Sequence, residues 1–253
     1  MAQTSGNETA LYDDPEFFAA YEEMRALAGT LNDVVETPAL VSLLPSLQGI
    51  AAADLGCGTG GMCRWLVGQG AAYVIGFDAS EKMLDGARQQ GLDTESLRFL
   101  QVDLDQLDLG EQKFDLVVSG LALHYVADFA RLAGRVAQAL RPGGCFVFSV
   151  EHPVITCGDR AWACREDGSQ AHWPVDHYSD EGPRAVNWLG FEDVPRYHRT
   201  VSGYVEPLLA AGLTIKRLLE PAPSQEDIET WPRLADHRRR PAFLVVTADK
   251  PVV

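Results

Sequence analysis

In the stretch AAADLGCGTGGM, Gly56, Gly58 and Gly61 are spaced G-x-G-x-x-G; Asp54 precedes them, and Asp78 lies about twenty positions on. Glycines at that spacing let a backbone turn sharply and approach a ligand where a Cβ would intrude. An acid about twenty residues later accepts from ribose hydroxyls. The chemistry implied is recognition of an adenosine. His124 and His152 each follow an apolar run ending in a short polar stretch, and histidine titrates near neutrality, as a general base should. These two are the candidate catalytic residues.

Such residues need a scaffold that gathers loop ends. DPEFFAAYEEMRALAG and PALVSLLPSL read as helices, the first with Asp14 as N-cap and Pro15 at the first helical position. IAAADLG reads as a strand, GMCRWLVGQG as a helix ending at Gly70, and YVIGFD as a strand. SEKMLDGARQQG reads as a helix capped by Ser80, with Gly91 just past its end. LRFLQVD, FDLVVSG and CFVFSVE follow as strands. Between the last two, FARLAGRVAQAL sets Leu132, Val136 and Leu140 on one helical face and stops at RPGG. Apolar strands alternating with amphipathic helices specify an α/β fold, a doubly wound parallel sheet with helices on both faces. Ligands of such sheets bind beyond the carboxyl ends of the strands. The rhythm breaks over residues 152–196, a stretch rich in Pro, Gly, Trp and His, which reads as a cap insertion over the site. It resumes with TVSGYVEPLLAAG, LTIKRLLEP and PAFLVVTADK.

Two adenosine ligands compete for the glycine loop. A nicotinamide dinucleotide presents a pyrophosphate to the following helix N-terminus, and Asp54 would set a negative charge beside it. S-adenosylmethionine has a sulfonium, an ammonium and a carboxylate but no phosphate, so Asp54 would attract the ammonium. The loop alone leaves both open.

The neighbouring segments are more specific. ADLGCGTGG, IGFDASEKML, LQVDLDQL, FDLVVSGLALHYVAD and LRPGGCFVFSVEHP, in order over residues 50–150, resemble class I S-adenosylmethionine-dependent methyltransferases, of the type 11-like group that modifies mostly small molecules. YHRTVSGYVEPLLAAGLTIKRLLEP resembles that family's last helix and strand. The resemblance implies a Rossmann-like, seven-stranded, mostly parallel sheet with one antiparallel strand near its end. It also implies residues 1–47 as an N-terminal helical lid and residues 48–253 as the cofactor-binding domain carrying the 152–196 cap. It places Asp54, Gly56, Cys57 and Gly58 along the methionine moiety and Asp78 on the ribose. Ala79 and Met83 fall on the adenine face, with Asp103 and the Leu104 amide on its edge, and Ser119 and Leu121 border the sulfonium. YDDPEFFAAYEEMR resembles the helix covering the cofactor, where Tyr12, Tyr21 and Arg25 would enclose it, Arg25 pairing with the carboxylate.

The implied reaction is methyl transfer from S-adenosylmethionine to an O, N or C nucleophile of a small molecule by in-line displacement, leaving S-adenosylhomocysteine. A nicotinamide-dependent oxidoreductase and a non-catalytic cofactor binder are the alternatives. Trp173, His177 and Tyr178 in the cap, with His198 and Arg199 after it, are candidate substrate contacts.

Bulk properties narrow the partners. A net charge of −15 disfavours nucleic acid, whose phosphates call for clustered Lys and Arg. The one dense basic run, His237 to Arg240, reads as a solvated turn before the last strand. No apolar run is long enough for a membrane span, and MAQTSGNETA reads as a short disordered leader without secretory features. Five cysteines without regular spacing fit a reducing, cytoplasmic compartment and no metal site. Nothing in the sequence speaks to oligomeric state.

Overall fold

The computed structural model describes residues 8–90, 95–158 and 161–252; most of the expected leader and the expected helix stop at Gly91 lie outside them. The chain opens with α1 (Glu8–Asp13) and α2 (Pro15–Ala26), the latter capped by Asp14, whose side chain accepts from the Glu16 and Phe17 amides. A wide helical turn over Asn32–Glu36 leads into α3 (Thr37–Val41). This last helix is shorter than its sequence pattern suggests. Pro45 follows closely and disfavours helical backbone at Leu44.

The alternation then runs β1 (Ala51–Leu55), α4 (Gly61–Gly68), β2 (Tyr73–Asp78), α5 (Glu81–Gln89), β3 (Leu97–Gln101), β4 (Phe114–Gly120), α6 (Phe129–Ala139) and β5 (Leu140–Glu151). The RPGG stretch that ends α6 is already part of β5. Gly143 donates to Lys250 O and the Lys250 amide donates to Gly144 O, so the pairing edge starts at the helix stop. After the insertion come α8 (Val201–Ala210), β10 (Thr214–Leu219), α9 (Gln225–Thr230) and β11 (Phe243–Asp249). The seven strands lie in the order β10-β11-β5-β4-β1-β2-β3. All are parallel except β11, which pairs antiparallel with both β5 and β10.

Strand periodicity divides the core between the two faces of the sheet. Phe146, Phe148 and Val150 of β5 pack with Leu132 and Val136 of α6 and with Tyr204 and Leu208 of α8. Cys145 and Val147 of the same strand face the other way, into a cluster with Leu66 of α4 and Leu84 and Ala87 of α5. Because β1 lies between β2 and β4, helices leave its two neighbours toward opposite faces. The crevice this opens lies at the carboxyl end of β1, just where the glycine loop starts.

The insertion is more ordered than its composition suggests. It holds α7 (Pro153–Thr156), a small hairpin β6 (Ala163–Cys164) and β7 (Gln170–His172), and a longer hairpin β8 (Gly182–Trp188) and β9 (Phe191–His198). The second hairpin turns on Leu189 and Gly190, at φ 54° and 83°. Two left-handed residues make the tight turn a hairpin favours, but Leu-Gly is a weaker sequence signal for it than Asn-Gly. The hairpin packs on the N-terminal helices: Phe17 lies 5.6 Å from Trp188 and 5.1 Å from Phe191, ring to ring, with Val186 and Val194 beneath. The N-terminal helices and the insertion thus share one apolar seam.

Candidate active site

A cavity of about 490 Å3 opens at the carboxyl ends of the central strands, roofed by α1, α2 and the β8–β9 hairpin. Its floor is the loop after β1. Gly56, Gly58 and Gly60 hold φ of 72°, 52° and 76°, and a Cβ on Gly56 would come within 2.2 Å of the Ala122 Cβ. Gly61, the third glycine of the dinucleotide spacing, has ordinary φ, and nothing lies within 4 Å of where its Cβ would be. The close helix–strand packing that calls for that glycine in dinucleotide folds is absent.

The loop amides are already engaged. Gly56 and Cys57 donate to Phe77 O, Gly60 donates to Cys57 O, and Gly58 donates to Asp78 Oδ2 at 2.8 Å. Four of the amides a pyrophosphate would need are therefore spent, three on carbonyls and that of Gly58 on a carboxylate. Asp78 is held from its other oxygen by the Ser80 amide at 2.9 Å. Burial raises its pKa, opposed by these backbone donors. Asp54 is 2% exposed and, among the described residues, its side chain accepts only from a thiol, Cys63 Sγ at 3.1 Å. Burial, with Asp78 nearby, pushes its pKa up to about 7. A carboxylate so poorly compensated favours a cation in the cavity.

Tyr12, Tyr21, Arg25, Asp54, Gly56, Cys57, Gly58, Asp78, Ala79, Met83, Asp103, Leu104, Leu121 and His124 all line this one cavity. Tyr12 meets the Tyr125 hydroxyl at 2.8 Å and the Tyr21 ring edge-on at 5.5 Å. Arg25 reaches Asp33 at 3.4 Å with one nitrogen, while Nη1 is buried without a hydrogen-bond partner. Leu121 sits at φ 54°, a region a Cβ disfavours, and its amide donates to Ser149 Oγ and Ser149 O. His124 Nδ1 accepts from the Glu151 amide at 3.4 Å, so the neutral ring carries its proton on Nε2.

Other expected residues lie elsewhere. Ser119 is fully buried in β4 and donates to Leu55 O at 2.6 Å, since the strand's pleat turns it into the sheet interior. His152 caps α7: its Nδ1 accepts from the Val154 amide, and its Nε2 lies 2.7 Å from Glu220 Oε1. Burial lowers its pKa, against the pull of Glu220. Trp173 donates to Val154 O and packs edge-on against Trp162, making a small cap core. His177 is exposed and paired with Asp180. The Tyr178 hydroxyl accepts from the Val201 amide, and His198 is buried between Thr156 and Tyr178 O. Arg199 donates to Val126 O and Ala127 O and braces the loop after β4. These side chains spend their polar atoms on scaffold contacts.

The cavity wall also includes residues the sequence reading did not single out. Glu36 is buried, accepting from Ser149 Oγ and from Thr37 Oγ1, and burial raises its pKa despite both. Glu151 ends β5 as Asp78 ends β2, an acid closing an apolar run, so the same signal was present. Arg196, 2% exposed on β9, lies over the rings of Tyr125 at 4.1 Å and Trp188 at 5.0 Å. The basic run is only partly the expected solvated turn before the last strand: Arg238 and Arg239 are exposed. His237 and Arg240 line the cavity, while Arg239 and Arg240 lie over the Trp162 and Trp173 rings at 4.2 and 4.0 Å. Only the fold of the cap brings those rings to it.

Charge segregates along the cavity. Asp54, Asp78, Asp103 and Asp105 lie at the ends of β1, β2 and β3, with Arg25 above. Arg196, His237 and Arg240 gather beyond β4 and β5, alongside His124 and Glu151. Among the described residues no helix is long and apolar enough to cross a membrane.

A family model described as a methyltransferase domain matches residues 53–148. The crystal structure of an S-adenosylmethionine-dependent methyltransferase from Mesorhizobium loti is 43% identical in sequence. The match covers 89% of this chain and 99% of that one, with a TM-score of 0.80. A Haemophilus influenzae protein called uncharacterized is 35% identical over 96% of this chain and 98% of its own length. A malonyl-[acyl-carrier protein] O-methyltransferase from Pectobacterium atrosepticum is 29% identical, covering 67% of this chain and 60% of its own length.

Proposed function

The chain belongs to the S-adenosylmethionine-dependent methyltransferases, and from that premise we propose that its methyl acceptor is a small molecule seated in the β4–β5 half of the cavity, beneath the β8–β9 hairpin. The observation that carries this reading is enclosure. One cavity of about 490 Å3 joins the acidic cradle to the acceptor wall under a packed lid, a size that suits small ligands. The −15 net charge disfavours a nucleic-acid acceptor.

The residues present fit the cofactor. The glycine cradle would be blocked by a Cβ at Gly56, the buried Asp54 suits an ammonium, and the orphaned Arg25 Nη1 suits a carboxylate. Asp78 keeps lone pairs for the ribose hydroxyls, and Met83 with Ala79 offers an apolar face to the adenine, whose edge Asp103 and Leu104 border. When bound, S-adenosylmethionine supplies a methyl group already activated on a sulfonium, so its transfer leaves a neutral thioether. The protein's part is to orient the acceptor and exclude water. Tyr12, Tyr125 and Trp188 close the space above the strand ends. His124 and Glu36 line the cavity wall, and Glu36, whose carboxyl pKa burial raises, would in its ionised form accept the proton of an acceptor that must lose one.

The test uses S-adenosylmethionine labelled in the methyl group, incubated with the protein and a fractionated metabolite extract. Sustained transfer of label to a low-molecular-weight product is expected. Label passing only to protein or RNA would overturn the small-molecule reading, and stoichiometric binding without turnover would leave a cofactor-binding protein.

A further inference from the structure

The acceptor wall contains a guanidinium that the rest of the site does not satisfy. Arg196 is 2% exposed, yet it lines the cavity. Its one hydrogen bond among the described residues runs from Nη1 to Pro195 O, and Nε has no hydrogen-bond partner. Its one ion pair, Nε to Glu151 Oε2, spans 3.4 Å. The faces of Tyr125 and Trp188 fix its plane, leaving the donor edge as the part able to meet a ligand. A buried charge whose Nε finds no hydrogen-bond partner and whose pairing to Glu151 is long is costly unless something in the functional state completes it. His237, whose Nδ1 is also buried without a hydrogen-bond partner, lines the same cavity. The acids that serve the cofactor lie at the other end.

Resting on the small-molecule reading above, we propose that the methyl acceptor carries a carboxylate, which the fork of Arg196 receives while the Tyr125 and Trp188 rings hold the guanidinium in plane. The fork's parallel N–H donors match a planar carboxylate bidentately, and with Glu151 on the same wall a carboxylate monoanion meets less repulsion there than a phosphate dianion. Glu151 is the internal competitor: it occupies Arg196 weakly in the absence of acceptor and yields to the incoming group.

The experiment is calorimetric titration of the protein saturated with S-adenosylhomocysteine, using acetate and benzoate against acetamide, benzamide and inorganic phosphate. The carboxylates are expected to bind and their amides not to. Arg196→Gln should weaken carboxylate binding about tenfold or more while S-adenosylhomocysteine affinity is kept. Arg196→Lys should weaken it less, because charge remains and the fork is lost. Glu151→Gln should tighten it, an opposite sign that misfolding cannot mimic, and this arm decides the matter if Arg196→Gln fails to fold. Equal binding to wild type and a folded Arg196→Gln, no carboxylate binding, or preference for phosphate would each overturn the proposal. So would competition between carboxylates and S-adenosylhomocysteine, which would give the guanidinium to the cofactor. Loss of S-adenosylhomocysteine binding by the wild type would instead strike at the cofactor site.

Discussion

Replacing Asp54 by Asn should stabilise the cofactor-free protein and weaken cofactor binding together, with a pH dependence that identifies the cause. Asp54 is 2% exposed, and Cys63 Sγ is its one side-chain hydrogen-bond partner. Burial carries its pKa from 3.8 to about 7. At about 1.4 kcal/mol per pH unit, ionising it inside the fold costs at most about 4 kcal/mol. Relaxation around a buried charge reduces such penalties, so about 2 kcal/mol is expected. Below pH 3.8 the carboxyl is neutral in both folded and unfolded chains. Between 3.8 and about 7 it ionises only in the unfolded chain, so the fold loses stability as pH rises, and above about 7 the cost is complete. Asn has no such charge. In urea denaturation, Asp54→Asn should match wild type near pH 4 and exceed it by about 2 kcal/mol at pH 8. In calorimetry the same variant should bind S-adenosylhomocysteine about tenfold or more weakly, because a charge-assisted contact to the ammonium is gone. Wild-type affinity should rise with pH up to about 7 as proton release ceases to oppose binding. A stability difference that is the same at both pH values, or unchanged affinity in the variant, would refute the reasoning.

Three further outcomes separate site from scaffold. Gly56→Ala should cost about 2 kcal/mol or more in urea melts, because its Cβ meets Ala122 at 2.2 Å and φ is 72°; Ala122→Gly should restore part of the loss, and a double variant no better than the single would exclude the clash as cause. Ser119→Ala should cost about 1 kcal/mol through the lost bond to Leu55 O with S-adenosylhomocysteine affinity unchanged; a tenfold drop in affinity would put Ser119 at the cofactor. His152→Ala should lose about 1 kcal/mol of stability as a helix cap and keep its rate of label transfer, whereas a rate falling without a stability change would make it catalytic.

The alternating half of the chain is legible because local pattern and tertiary role agree there. Asp14 and Ser80 cap the helices they precede, and the apolar runs carrying Asp54 and Asp78 become parallel strands that bring these acids to the crevice. The insertion is harder to read. Its hairpin turns on Leu189 and Gly190, and His198 and Arg199 look functional by residue type yet spend their polar atoms on Thr156, Tyr178, Val126 and Ala127. Ser119 shows the limit on a strand: one step of the pleat decides whether a side chain meets the cavity or the sheet interior.

The sequence by itself determined the parallel sheet, the glycine turn and the acids at the strand ends, because each follows from short-range spacing and backbone geometry. What stands over the acceptor was decided by tertiary structure alone. Arg196, His237 and Arg240 come from two segments about forty residues apart, and Glu36 and Glu151 from opposite ends of the chain's first 151 residues. The β8–β9 hairpin brings Arg196 in by packing on α2 through Phe17, Trp188 and Phe191, the Trp173 ring meets Arg240, and Ser149 holds Glu36, each a contact between side chains far apart in sequence. Periodicity reports which face of an element is apolar; it does not report which other element that face will find.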